Sequence, residues 1–335
     1  YQGKLYIATT QGAFYLENTN TYDKQQKAFH PEKFKPVKNI VTDCNRFFPL
    51  EDGLLLSADD GVYMISGDVA RKISNGLLEG MLRSKKQSDI IFLCKGNGLA
   101  AMRNKKGTWE DLGQIKNLND HIRTVAEDED GNLWLGTDYN GTYRVELPKG
   151  WDVNAKVKPY KSGHGLPENY DWLDVYSTSN GVLFSTFSGV FRFDKTTDSF
   201  YRDTLLGLDF SKSDRWIYPV VEDAHRNLWL SGSVKDKFSK ETAVAYFQGY
   251  NRLYTLIVNP FKKIKDFTIE AIYPDSNAVT WFGTFDGLIR FDAKFFIEDT
   301  LRYKTLIRHI IIGTDSIVPA TICADSLNNP EDTLV

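Results

Sequence analysis

With 335 residues, the chain is long enough for two or three ordinary domains or for one large all-β domain. Its 41% hydrophobic, 13% aromatic and 25% charged residues fit a folded globular protein and exclude a disordered one. The 41 basic and 44 acidic side chains leave a net charge of −3, without the clustered basic surface that nucleic acid requires, and no run of about 18 apolar residues is present to span a membrane.

The chain starts at "YQGKLYIATT", with no initiator Met, no basic n-region and no apolar h-region, and so reads as a piece of a longer protein. One pattern then recurs. "LYIATTQGAFYL" at Leu5, "LLLSADDGVYMI" at Leu54 and "IFLCKGNGLAAM" at Ile91 are followed by "LWLGTDYNGTYRV" at Leu133 and "VLFSTFSGVFRF" at Val182. A divergent copy, "LWLSGSVKDKFSKETAVAYF", begins at Leu228, and the last, "VTWFGTFDGLIRF", at Val279. Counting the divergent copy, the glycine landmarks from Gly12 to Gly287 lie about 46 residues apart.

Within each copy an apolar pair, a small residue and a short polar turn lead into an alternating run such as "GVFRFD". A further strand ending in a turn precedes most copies ("IRTVAEDEDG", "IYPVVEDAHR"), and an aromatic strand often follows ("SFYRD"). Four strands per repeat, seven times, with almost no helical periodicity, predicts an all-β fold, a seven-bladed β-propeller of four-stranded blades. The small residue of the second strand (Gly136, Ser185, Gly283) belongs where blades pack face to face. The propeller is expected over residues 1–293. Its first copy begins at the second strand, so the innermost strand of that blade lies upstream, comes from the tail or is missing. The β-rich tail, 294–335, either closes the ring or starts a following domain. Cys44, Cys94 and Cys323 form no C-x-x-C pair and read as small buried apolar residues.

"IRTVAEDEDGNLWLGTDYNGTYRVEL" (Ile122 to Leu147) resembles the two-component regulator propeller repeat: an Ile-rich strand, an acidic turn, "LWLGT", a glycine and a final strand. Gly165-Leu166-Pro167-Glu168-Asn169 is similar to the entry that often precedes such repeats, and "LIRHIIIGTDSIV" to the start of the Ig-like triple-tyrosine domain that follows such propellers. The resemblance implies a periplasmic, non-catalytic sensor module of a hybrid two-component histidine kinase. Its implied ligand is an oligosaccharide. The other propeller and the triple-tyrosine domain of the parent chain, and a second copy in a homodimer, would be its partners. Any kinase would lie outside this chain.

Chemistry is tested against that expectation. An EF-hand loop starting at Asp128 needs Gly at its sixth position and Glu at its twelfth, where Leu133 and Tyr139 stand. The sister copies place "TSNG", "AHRN" and "DSNA" at the same point, so the acidic run reads as a turn and not as a metal loop. The five histidines form no H-x-H or H-x-x-x-H pair, and no G-x-S-x-G elbow or phosphate loop is present, so no metal, cofactor or catalytic residue is assigned. Binding is placed at the segments leading into the innermost strands, which surround the mouth of a propeller's channel. These carry His121, Arg123, Asn169, Tyr170, Trp172, Arg215, Trp216 and Tyr218, aromatic platforms among hydrogen-bonding groups that suit sugar rings. Trp172, Trp216 and Tyr218 suit packing between blades as well. Two alternatives remain: an interaction propeller that docks a partner through a loop at Ser233 to Ala243, and a polysaccharide-acting propeller enzyme.

Overall fold

The computed structural model describes residues 1–17, 22–23, 28–29, 33–168, 172–207, 215–234, 240–249, 254–275, 278–295, 309–312 and 316–319. The chain divides into two compact units, Tyr1–Lys294 and Phe295–Val335.

The first unit is a seven-bladed β-propeller of antiparallel sheets. The fourth blade shows the plan: Ile122–Glu127 innermost, then Leu133–Thr137, Thr142–Glu146 and Lys156–Tyr160 outermost. The second, third, fifth and sixth blades repeat it, with inner strands Cys44–Pro49, Leu78–Arg83, Asp174–Thr178 and Arg215–Glu222. Two blades depart from the expected four strands. Among the described residues the first has Leu5–Thr9, Gly12–Leu16 and Lys35–Pro36 but no innermost strand, and the seventh has Ile269–Pro274, Val279–Thr284 and Gly287–Asp292 but no outermost one. In the second unit, His309–Ile312 pairs with Ser316–Pro319 as a hairpin, Ile310 opposite Val318.

Why the second strands are so apolar follows from their position. A strand between two others, with a neighbouring blade on each face, has no solvent side, and every residue of Leu54–Ala58 and of Leu133–Thr137 is buried. Leu5–Thr9, without an inner neighbour, is only half-buried throughout. The cores lie between blades. Trp134 of the fourth packs with Tyr160 and with Phe184, Phe191 and Phe200 of the fifth, its ring 5.0 Å from that of Phe184. Gly136 marks the same seam: a Cβ there would meet Thr124 Oγ1 at 2.3 Å and the Leu173 carbonyl oxygen of the next blade at 2.4 Å.

The acidic run after Ile122–Glu127 is a turn organised by one carboxylate. Asp128 Oδ1 accepts the backbone N–H of Asp130 (3.0 Å) and of Asn132 (2.9 Å), while Oδ2 accepts Asn132 Nδ2 (3.2 Å) and Trp134 Nε1 (3.1 Å). Glu127, buried, accepts the Ser84 hydroxyl of the third blade at 3.0 Å and the Lys85 amide. The sister copies are not all stripped of this carboxylate: Asp223 makes the same four bonds in the sixth blade, ending on Trp229 Nε1 at 3.0 Å. Burial alone would raise the Asp223 carboxyl, but those hydrogen bonds outweigh it and hold it below the usual range. A carboxylate so saturated with N–H donors is a turn hub. Asp128→Ala is expected to cost about 1–3 kcal/mol, because it strands a nearly buried indole N–H. Urea unfolding of this variant beside Asp130→Ala, whose side chain forms an exposed ion pair with Lys195, checks it, and equal losses would sink the assignment.

Cys44 and Cys94 are free and buried, and burial pushes both thiols up to about 12. Cys323 lies outside the described residues.

Candidate functional site at the channel mouth

Each inner strand begins at one end of the channel, and five of the six carry a bulge there. The register slips between Cys44 and Arg46, Leu78 and Gly80, Ile122 and Thr124, Ile217 and Val220, and Ile269 and Ala271. A bulge sets an extra residue against the partner strand and re-aims side chains. Here the displaced positions include Glu79, Arg123, Tyr218 and Glu270, and all four line one cavity of about 510 Å³, joined by Arg46, Trp172, Asp174, Trp216, Lys240 and the exposed Phe285.

One wall is aromatic. Trp216 stacks on Tyr218 with ring centroids 5.5 Å apart and an interplanar angle of 10°, and Trp172 and Phe187 complete the group at 5.6 Å and 5.2 Å from Trp216. Trp172 is 39% exposed and has φ +52, a strained value for a bulky residue. Its amide donates to Asp138 O at 2.6 Å, and the Leu173 amide to Thr137 O at 3.0 Å, tying this backbone to the fourth blade.

An ion network adjoins it. Arg123 donates from Nη1 to Asp138 (3.2 Å) and from Nε to Asp174 (3.3 Å), and its guanidinium lies 5.3 Å from the Trp172 ring centroid. Asp174 is fully buried, and burial pushes its carboxyl up to about 6 despite Arg123 beside it. Burial likewise raises Glu270, against the pull of Lys240 and Arg123. His121 bridges two blades, Nδ1 on Asp138 and Nε2 on Glu79 at 3.1 Å. Burial would lower its pKa, but the two carboxylates outweigh burial and raise it, so the imidazolium form is favoured.

Of the residues singled out from sequence, Arg123, Trp172, Trp216 and Tyr218 come together on the cavity, and His121 stands behind it on Glu79. Asn169 and Tyr170 lie outside the described residues. Arg123 and Arg215, each near the start of an inner strand, do not occupy equivalent positions. Ile122 pairs with Thr137 and Ile217 with Gly232, which makes Tyr218 the equivalent position, and Arg215 instead pairs with Glu241 at 3.1 Å. The loop expected at Ser233 to Ala243 is mostly ladder, since Ser233 pairs with Lys240 and Ala243 with Leu230, and its remainder, 235–239, lies outside the described residues. Arg46, Glu79, Asp174, Lys240 and Glu270 were missed. The signal for Glu79 and Glu270 is a broken alternation, apolar–charged–small, in "LEG" and "IEA", as in "IRT" at Arg123, which marks the bulge. Among the described residues no group of three or more His, Cys, Asp or Glu is placed to hold a metal ion, and no helix is long and apolar enough to cross a membrane.

The model of the two component regulator propeller family matches residues 118–139, the segment that carries His121, Arg123, the Asp128 turn and the Gly136 seam. The chain carries a two component regulator propeller repeat. No curated protein sequence matches the chain. Among solved structures, the chain is similar in fold to the extracellular domain of a putative one component system from B. thetaiotaomicron, with 18% identity, a TM-score of 0.56, and coverage of 86% of this chain and 36% of that one. The chain thus spans about a third of the length of that structure. It is similar in fold to a catalytically inactive virginiamycin B lyase from Staphylococcus aureus in complex with quinupristin, at 10% identity, TM-score 0.56, covering 86% of this chain and 90% of that one. YCF48 bound to D1 peptide matches at 10% identity and TM-score 0.54, over 86% of this chain and 87% of that one. At such identities these likenesses speak for the fold.

Proposed function

We propose that this propeller is the non-catalytic, periplasmic sensor module of a two-component regulator, and that it recognises an oligosaccharide in the cavity at its channel mouth. The observation that carries the reading is one cavity of about 510 Å³ lined by Trp172, Trp216 and Tyr218 together with Arg123, Asp174 and Glu270. Sugar rings offer apolar faces edged by hydroxyls, and a concave site with few convergent polar groups fits them. The family of the repeat supports the regulatory setting, and the extracellular origin of the B. thetaiotaomicron relative supports an extracytoplasmic one. The signal would leave through whatever follows the propeller in the parent chain.

A thermal-shift screen of defined oligosaccharides against the full chain tests this. At least one is expected to raise the melting temperature, and Trp216→Ala to weaken that ligand about tenfold or more, a loss of about 1.4 kcal/mol. A panel with no stabilising glycan, or a ligand indifferent to Trp216→Ala, would falsify the assignment of the site.

A further inference from the structure

On the oligosaccharide-recognition reading, Glu79 is one of the acceptors the cavity offers, and a single imidazole decides where it stands. Glu79 sits in the register slip between Leu78 and Gly80, at the start of the third blade's inner strand. Among the described residues, the hydrogen bond its carboxylate makes is with His121 Nε2, at 3.1 Å. His121 stands just before the inner strand of the fourth blade, and its other ring nitrogen, Nδ1, meets Asp138 in the turn after Leu133–Thr137. Asp138 is held a second time, by Arg123 Nη1 at 3.2 Å. Asp120, the acid next to His121 in sequence, is engaged by the His121 backbone N–H at 2.8 Å and the Tyr143 hydroxyl at 3.0 Å.

Both ring nitrogens of His121 therefore face carboxylates, and only the imidazolium donates to both at once. A neutral imidazole keeps one N–H and turns a lone pair on the other acid. The remaining proton belongs with the acid that water reaches less. Asp138 is 21% exposed against 35% for Glu79, and Glu79 opens onto the cavity, where water can solvate it. Loss of the proton thus releases Glu79, while Asp138 keeps Arg123.

We propose that His121 is a positioning residue for the cavity: its imidazolium ties Glu79 to the fourth blade, and loss of its proton frees Glu79 and weakens the ligand. Calorimetric titration of the full chain with the tightest glycan of a mixed neutral and acidic panel, from about pH 5 to about pH 9, tests it. Affinity is expected to fall about fivefold along the alkaline limb, because binding must then order a freed carboxylate side chain. His121→Gln and Glu79→Gln are each expected to abolish that limb and to leave the acid limb, where the Asp174 carboxyl titrates at about 6. A merely structural residue would weaken binding at every pH without flattening the profile. In the unliganded protein the His121 imidazole, followed by NMR, is expected to titrate above the ordinary 6.5, and Glu79→Gln to bring it down. With a raised value, the stability the tie contributes is full below 6.5 and lost as pH rises through that value. The melting temperatures of the parent and His121→Gln are therefore expected to converge at alkaline pH. A flat parent profile, or an alkaline limb that survives both substitutions, would overturn the positioning role and leave glycan recognition intact. Failure of every glycan to bind would overturn the recognition reading alone, since the unliganded titration still decides the tie. An imidazole unmoved by Glu79→Gln would overturn the tie.

Discussion

Gly136→Ala is expected to destabilise the propeller by about 3 kcal/mol, the upper end of the usual cost of overpacking, whereas Gly283→Ala should cost less than about 1 kcal/mol. Both glycines occupy the same place in the repeat, "LWLGT" and "TWFGT". A Cβ on Gly136 would enter a space bounded at 2.3 Å and 2.4 Å by Thr124 Oγ1 and the Leu173 carbonyl, and at 3.1 Å by Asp174 Cα. Two of these three are backbone atoms of the fifth blade and its approach, so relief requires moving one blade against the next. On Gly283 the nearest atom is the Ala271 Cβ at 3.4 Å, an ordinary contact. Denaturant midpoints of the two variants give the comparison directly. Equal losses would mean that the seam accommodates a methyl group and that blade packing does not select glycine there.

Trp134→Ala carries the second large effect, about 3–5 kcal/mol, as expected for emptying the place of a large aromatic in a packed core. The side chain is 2% exposed and touches rings of both blades that meet at it, Tyr160 at 5.2 Å, Phe193 at 4.7 Å and Phe200 at 5.8 Å. Its indole N–H is also the anchor of the Asp128 turn. Trp134→Phe separates the two roles: it keeps most of the apolar contact and removes the N–H, so its loss should fall near the 1–3 kcal/mol expected for Asp128→Ala, and combining it with that substitution should add little. A phenylalanine variant as unstable as the alanine one would show the hydrogen bond, not the ring packing, to dominate.

The fold was legible because repetition multiplies a weak signal. A single "VLFSTFSGVFRF" is an ambiguous hairpin, but seven such segments at near-constant spacing permit little except a ring of blades. The place of the glycine was legible for a steric reason that needs no knowledge of the partner blade. The site was legible only in part. Arg123, Trp172, Trp216 and Tyr218 stand out as large side chains at the starts of inner strands. Glu79 and Glu270 are lone acids in a chain with 44 of them, and which way each points depends on a one-residue slip in pairing. Counting strict alternation through such a slip inverts the assignment of faces. Nothing in local composition announced that Asp174 would be buried.

The three-stranded first blade has a mechanical consequence. Every other inner junction of the described ring sets one backbone ladder against the next, but at Leu5–Thr9 the second strand itself meets the neighbouring blade. Side-chain and backbone contacts hold that sector together: the Tyr6 and Phe47 rings lie 5.9 Å apart, Tyr6 Oη donates to Gly67 O at 2.9 Å, and Lys38 N donates to Asp68 O at 2.8 Å. A closed chain of stiff segments with one compliant link yields at that link, so strain introduced at the mouth is relieved there first. The ring is therefore not isotropic. Among the described residues it has a direction of give, set by the blade whose innermost strand edge has no backbone partner.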